Sequence, residues 1–269
     1  MRLSIIIIEY HCMDQVQDCL QSIQTHLSEI EYECFIISNS EYSETDLASH
    51  CKSISGATMV NTGNNLGYAG GVNIGISHAS GDYIYVLNPD CLLTDSNINQ
   101  IMYEMDKESD WAISGPKVVD QNYNVQPSCR AFPRPWTFLM VRSILSRFPG
   151  AASEKGRYLM DAFDHNSLKE VDWVSGGATL VKAEVLNVIG GMDERYFLYM
   201  EDVDWCRGCW RKGYKVKYMP VSTVIHAGQH QSIKLGLKMF SNIHLRWHLI
   251  SMFKYFIKGS LLALPGNNQ

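Results

Sequence analysis

Over the first 87 residues, β-branched apolar runs alternate with segments of helical period, and that alternation confines the chain to an α/β fold. Leu3 to Ile8 is continuous, apolar and rich in isoleucine, as a strand buried on both faces must be. Asp14 to Leu27 then carries Val16, Leu20, Ile23 and Leu27 at spacings of three and four, the stripe of a helix. Glu33 to Ser38 reads as a second strand and Met59 to Thr62 as a short third. Gly70 to Ala79 reads as a helix and Asp82 to Leu87 as a further strand. This order builds a doubly wound, mostly parallel sheet flanked by helices. Ligands of such sheets sit at the carboxyl ends of the strands.

The rest of the chain is less regular. Residues 121–170 contain Pro127, Pro133, Pro135 and Pro149 without sustained period, so loop, short helix or a lid is expected. Trp173 to Lys182 reads as a strand, Lys182 to Ile189 as a helix and residues 214–219 as a late strand. A helix is expected from Ser232 to Leu262, with Ile243, Trp247, Ile250 and Ile257 on one stripe and Arg246, Lys254 and Lys258 beside it. A helix lying in a membrane interface has this pattern, and so does one docked on the protein's own core.

Charge is divided unevenly. The ten basic residues after Asp204 meet no acidic residue, whereas the first 204 residues carry a net charge of −15. A basic tail with large apolar residues at helical spacing points to an anionic surface, a membrane rather than nucleic acid. Ile5 to Ile8 ends at Glu9 without a cleavage site, and no run approaches the roughly 20 apolar residues of a spanning helix, so the chain is expected in the cytoplasm. Its scattered cysteines suggest no disulfide framework. The pair Cys206 and Cys209 lacks the second pair that a zinc site requires.

Four segments carry chemistry. Asn61 to Asn73 is rich in Gly and Asn, which allow close backbone approach to a diphosphate or sugar, but it has neither the dinucleotide nor the P-loop pattern. Asn88-Pro89-Asp90 puts a carboxylate at a strand's carboxyl end, where a hard cation can be held with phosphates. Glu201-Asp202-Val203-Asp204 packs three carboxylates into four residues; capping of a helix start needs fewer, and one can act as general base. His226, after the late strand, is a possible partner for Asp90 on a metal, and His230 a weaker one.

Asn65 to Asn73, Leu87 to Asp90, Ser175 to Gly177 and Gly191 to Asp204, in that order and spacing, resemble the family 2 inverting glycosyltransferases, and within them the rhamnosyltransferases of bacterial cell-surface polysaccharide synthesis. The resemblance spans about residues 3 to 258. It implies a Rossmann-like GT-A fold: residues 1–230, with a nucleotide-sugar-binding half (1–120) and an acceptor and catalytic half (121–230), followed by a basic amphipathic helical region (231–269). It implies a donor, dTDP-L-rhamnose, and a saccharide acceptor on a polyprenyl diphosphate, as in O-antigen and lipopolysaccharide assembly. Tyr10, Ser38, Asn65, Gly67, Asn73, Asn88 and Asp90 would contact the donor. Asp90 and His226 would hold Mg²⁺ or Mn²⁺. Asp202 would be the base, with Glu201 beside it, and Trp173, Ser175, Gly176 and Gly177 would border the acceptor. Arg246, Lys254 and Lys258 would meet the lipid diphosphate at the cytoplasmic face of the inner membrane. Two positions depart from the family: Ser38 stands where an Asp is usual, and Glu9-Tyr10-His11 replaces the commoner Asn-Tyr-Asn. Other expectations remain: a UDP- or GDP-sugar donor, or a silent sugar-nucleotide-binding scaffold.

Overall fold

A computed structural model of the chain describes residues 1–142, 147, 150–227 and 243–261. The first half alternates as its sequence pattern requires: β1 (Leu3–Glu9), α1 (Met13–His26), β2 (Tyr32–Ser38), α2 (Glu44–Ser53), β3 (Thr58–Asn61), α3 (Gly67–His78) and β4 (Tyr83–Leu87). There follow β5 (Cys91–Leu93), α4 (Ile98–Asp106), β6 (Trp111–Val119), β7 (Cys129–Arg130), α5 (Thr137–Arg142), α6 (Ala151–Leu159) and β8 (Lys169–Glu170). The last elements are β9 (Trp173–Val174), β10 (Ala178–Lys182), α7 (Leu186–Ile189), α8 (Glu201–Arg211), β11 (Lys215–His226) and α9 (Ile243–Leu261). Every residue of β1 and β4 is buried, as continuous apolar strands inside a two-faced sheet must be.

Nine strands form one sheet in the order β3-β2-β1-β4-β10-β6-β11-β5, with β8 paired to β11. From β3 to β4 the pairing is parallel. β10 then enters antiparallel between β4 and β6, and β5 lies antiparallel on β11. One side of the sheet is therefore parallel and the other mixed. β10 follows a tight turn, not a helical crossover, and so is free to run the other way.

That turn also corrects an expected element. The strand predicted over Trp173 to Lys182 breaks at Ser175–Gly177, leaving β9 in a separate ribbon with β7 and β10 in the main sheet. The predicted 214–219 strand runs on to His226. Its register on β6 shifts between Tyr218 and Thr223, around Pro220, which cannot donate to the ladder.

The sheet's two faces carry two cores. On one, Val16, Leu20 and Ile23 of α1 and Ile101 and Met105 of α4 cover Ile5, Ile7 and Tyr85. On the other, Val72 of α3 and Val203 and Cys206 of α8 cover Ile6, Ile8 and Val86. Alternate residues of β1 thus serve opposite cores. α3 lies close to the sheet because Gly75 has no side chain: a Cβ there would stand 2.4 Å from Ile6 Cγ2.

α9 has two faces. Leu245, His248, Ser251 and Tyr255 are buried, while Ile243, Leu249, Ile250, Phe253 and Ile257 are exposed. Trp247, at the border, stacks on Phe197 at 4.5 Å. The helix docks on the protein and still presents an apolar outer stripe. The start of the predicted helix, residues 232–242, and His230 lie outside the described residues.

Candidate active site

The turn Ser175–Gly177 joins the strand ends to the start of α8. Gly176 donates its N–H to Asp202 Oδ2 at 3.0 Å and accepts from the Tyr68 hydroxyl at 2.6 Å. Gly177 accepts from the Asn88 N–H at 2.9 Å. A Cβ on Gly176 would touch Asp202 and Tyr68, and one on Gly177 would press Asn88 at 3.3 Å, so both glycines permit this approach. The chain reaches α8 through Tyr199 and Met200, at φ of 70° and 72°, a left-handed conformation that costs free energy without glycine. Ser251 of α9 steadies this entry by donating to the Leu198 carbonyl at 2.8 Å.

Glu201 and Asp202 open α8 in different surroundings. Asp202 accepts from the N–H groups of Gly176 and Val203. Burial pushes its carboxyl above the usual range, opposed by those donors and by the charge of Arg130. Burial pushes the Glu201 carboxyl well above the usual range, with the Asp202 charge second, and no described residue bonds its Oε2 to offset this. We therefore assign the pair's proton to Glu201 and leave Asp202 ionised.

Across the turn, Asp90 Oδ1 stands 3.2 Å from His226 Nε2, at the ends of β4 and β11. One ligand atom each of Asp90, Cys91 and His226 lies within 4.8 Å of the others. The Cys91 thiol is pushed well up by burial and then by the Asp90 charge, and it donates to Gly177 O. A protonated thiol is a poor ligand, which leaves Asp90 and His226 as the candidate donors for a divalent cation among the described residues.

At the neighbouring strand ends, Glu9 is fully buried. Its carboxylate accepts from Ser38, Ser40 and Tyr42 hydroxyls and from the Cys12 N–H. The Ser38 hydroxyl is thus committed within the protein. The Tyr10 ring is half exposed, 4.6 Å from His11. Asn65 holds its own loop by accepting from the Gly67 N–H. Gly67 has φ +74° and lies against Phe197 O, where a Cβ would stand 2.3 Å away.

The structure brings Asn88, Asp90, His226, Ser175, Gly176, Gly177, Glu201 and Asp202 together. It gives four other predicted contact residues partners within the protein. Asn73 uses both ends of its amide to clamp Met192 and Glu194, so it ties α3 to the 190–194 loop and has its amide engaged within the protein. Trp173 is buried, with its ring N–H on Ala131 O, so it presents no open face to an acceptor. Lys258 pairs with Asp193 and Asp204 and Lys254 bonds Arg195 O, so both are engaged inside the protein. Arg246 stays exposed. Sequence reasoning missed Arg130, Tyr68 and the Glu9 network. Arg130 sits in a proline-rich stretch with no periodic signal, whereas Glu9 at a buried strand's end was a visible anomaly.

A sheet with this mixed topology, bearing its polar groups at the strand ends, is the GT-A fold. The chain belongs to glycosyl transferase family 2, whose sequence profile matches residues 4–166. It is 29% identical over 191 residues to the N-acetylglucosaminyl-diphospho-decaprenol L-rhamnosyltransferase of Mycobacterium tuberculosis, covering 65% of this chain and 60% of that protein. It is 23% identical over 254 residues to the dTDP-rhamnosyl transferase RfbF of Shigella flexneri, covering 93% and 77%. The chain thus spans 60% of the length of the first curated relative. Among solved structures, GalNAc-T7 with UDP, GalNAc and Mn²⁺ matches 96% of this chain and 48% of its own at TM-score 0.69 and 13% identity. The mannosyltransferase PcManGT of Pyrobaculum calidifontis with GDP-Man and Mn²⁺ matches 95% and 64% at TM-score 0.57 and 14% identity. At these identities the structural likeness is one of fold alone.

Proposed function

We propose that the chain is an inverting glycosyltransferase that moves L-rhamnose from dTDP-rhamnose to a saccharide carried on a lipid diphosphate. The observation that carries this reading is the facing of two groups across one turn: the Asp90–His226 pair and the hydrogen-bonded carboxylate of Asp202. Asp202 takes the proton of the acceptor hydroxyl as that oxygen bonds the anomeric carbon. The nucleoside diphosphate leaves from the opposite face, and the centre inverts. Glu201, holding its proton, does not compete for this role. Asp90 and His226 would hold Mg²⁺ or Mn²⁺, whose remaining positions suit diphosphate and water oxygens. A bound ion supplies charge neutralisation for the leaving diphosphate.

The names of the Mycobacterium and Shigella relatives support rhamnose as the sugar and a lipid-diphosphate saccharide as the acceptor, which fits synthesis of an O-antigen-like surface polysaccharide. A second reading, a hexose from a UDP- or GDP-sugar, is favoured by Ser38. Its hydroxyl is committed to Glu9, so the strand end that usually carries a carboxylate in this family offers none for reading the base. The outer apolar stripe of α9 supports attachment to a membrane surface, read here as the cytoplasmic face of the inner membrane. Among the described residues, no helix is long and apolar enough to cross a membrane.

The test is a panel of dTDP-, UDP- and GDP-sugars, each with and without Mg²⁺ or Mn²⁺, read by thermal stabilisation and by transfer to a lipid-diphosphate-linked saccharide. dTDP-rhamnose should stabilise most, and more with metal. Preference for another nucleotide changes the donor and keeps the chemistry. No stabilisation and no transfer with any donor sinks the reading and leaves a binding scaffold.

A further inference from the structure

Arg130 is fixed in place and makes no contact ion pair among the described residues, although its charge acts on Asp202. It pairs with Trp173 across the β7–β9 ribbon. Its guanidinium lies over the Trp173 ring at 5.2 Å and the Tyr158 ring at 5.6 Å, contacts that orient an arginine. Nε donates to Pro127 O at 3.1 Å. Among the described residues no acceptor meets its two terminal amino groups. Arg2, Arg134, Arg157, Arg195 and Arg207 each pair with a carboxylate; Arg130 pairs with none. Its side chain lines a small cavity of about 30 Å³ together with Gln126, Ser175, Gly177 and His226. A held fork of donors thus shares a cavity with His226, the partner of Asp90.

We propose that Arg130 clamps an anionic diphosphate oxygen of a substrate bound beside the Asp90–His226 pair. A planar fork with two free amino groups matches a phosphate's paired oxygens. A guanidinium held by rings and a carbonyl loses little side-chain freedom on binding. The inference rests on the transferase reading, which offers two sources of the same chemistry: the donor's nucleoside diphosphate and the acceptor's lipid diphosphate. Arg130 contributes binding and orientation; no bond to it forms or breaks.

Three proteins suffice: wild type, Arg130→Gln and Arg130→Lys, each first checked for an unchanged thermal midpoint. Lys keeps the charge and loses the fork, so it guards against a variant that merely repacks Trp173. The probes are inorganic pyrophosphate, dTDP and UDP, followed by calorimetry, and steady-state transfer varied separately in donor and acceptor. Loss of a charge-assisted pair should weaken pyrophosphate about 10- to 100-fold in Arg130→Gln, with Arg130→Lys between the two. If dTDP or UDP weakens in parallel, the clamp serves the donor. If nucleotide binding holds and acceptor KM rises by that factor, it serves the acceptor. Unchanged pyrophosphate affinity and unchanged KM for both substrates overturn the proposal, even if the pH profile of kcat moves, for then Arg130 acts only through the charge of Asp202. Wild type that binds pyrophosphate in an Arg130-dependent way but transfers no sugar would sink the transferase reading and leave the anion site standing.

Discussion

Glu201 and Asp202 are chain neighbours with opposite assignments, and a pair of isosteric variants separates them. Asp202 keeps two backbone donors and faces Arg130; Glu201 is buried, with one oxygen unbonded among the described residues. Asp202→Asn removes the base while preserving shape, so kcat should fall roughly 10²- to 10⁴-fold with nucleotide binding kept. Glu201→Gln copies the protonated form and should retain most of the turnover. An equal loss in both variants would reject the assignment. Stability gives a second readout with a definite sign. Burial raises the Glu201 carboxyl, so its contribution to stability is full below its ordinary value, about 4.3, and is lost as pH rises through the raised one. Gln cannot ionise. The thermal midpoint of Glu201→Gln should therefore match wild type near the acid end and exceed it increasingly toward alkaline pH. Because Asp202 is also raised by burial, turnover should fall with acidification above the usual carboxylate range.

At the scale of elements, α8 and α9 are joined by a charge cluster that the carboxylate count alone did not predict. Asp204, buried in α8, pairs with Arg207 at 2.5 Å and with Lys258 of α9. Arg207 donates to Tyr255 O and lies 3.7 Å over that ring. Gly259 lets it approach, since a Cβ there would stand 2.6 Å from Nη1. Lys258→Met leaves Asp204 with one partner and should cost about 1–3 kcal/mol, less than breaking a wholly buried pair because Arg207 remains. The thermal midpoint should drop by roughly 2–4 °C for each kcal/mol, and Lys258→Arg should recover most of it. No shift in the melt would mean that the pair contributes nothing. The sequence disclosed β1, α1, β2, α3 and β4 because local period and burial agree there. It disclosed Asp90 and Glu201 to Asp204 because their residue types are dense at element ends. Asn73 misled because its partners, Met192 and Glu194, lie 119 and 121 residues away. The antiparallel entry of β10 depends on the Ser175–Gly177 turn, and nothing in the strand's own composition encodes its direction. α9 shows apolar residues on both faces, so spacing found the helix but not which side docks.

Over the whole molecule, the apolar surface left uncovered on α9 lies beside one exposed cation, Arg246. The chain after Asp204 carries ten basic residues against a net −15 before it, and the outer stripe of α9 includes Phe253, 68% exposed, with Ile243, Ile250 and Ile257. The inner face is already spent on Leu245, Ser251 and Tyr255. A second apolar face on a docked helix is surplus to folding, and exposed patches of this kind mark contact sites. A bilayer with anionic headgroups would suit both stripe and cation: acyl chains take the isoleucines and Phe253, and the headgroups attract the exposed Arg246 at about 1 kcal/mol near the surface. Sedimentation with vesicles of phosphatidylglycerol and phosphatidylcholine should therefore capture the protein. Pure phosphatidylcholine should capture less, and capture should weaken once salt brings the screening length to about 3 Å, near 1 M. Phe253→Glu changes no buried residue, so its melt should stay near wild type while capture falls several-fold. Arg246→Glu should lose mainly the preference for anionic lipid. Equal capture by neutral vesicles, or indifference to Phe253→Glu, would assign the stripe to something other than a membrane. Because Ser251 and Lys258 of this helix reach the approach to α8 and α8 itself, a membrane-bound α9 would hold Asp202 in register with an acceptor embedded in the same bilayer.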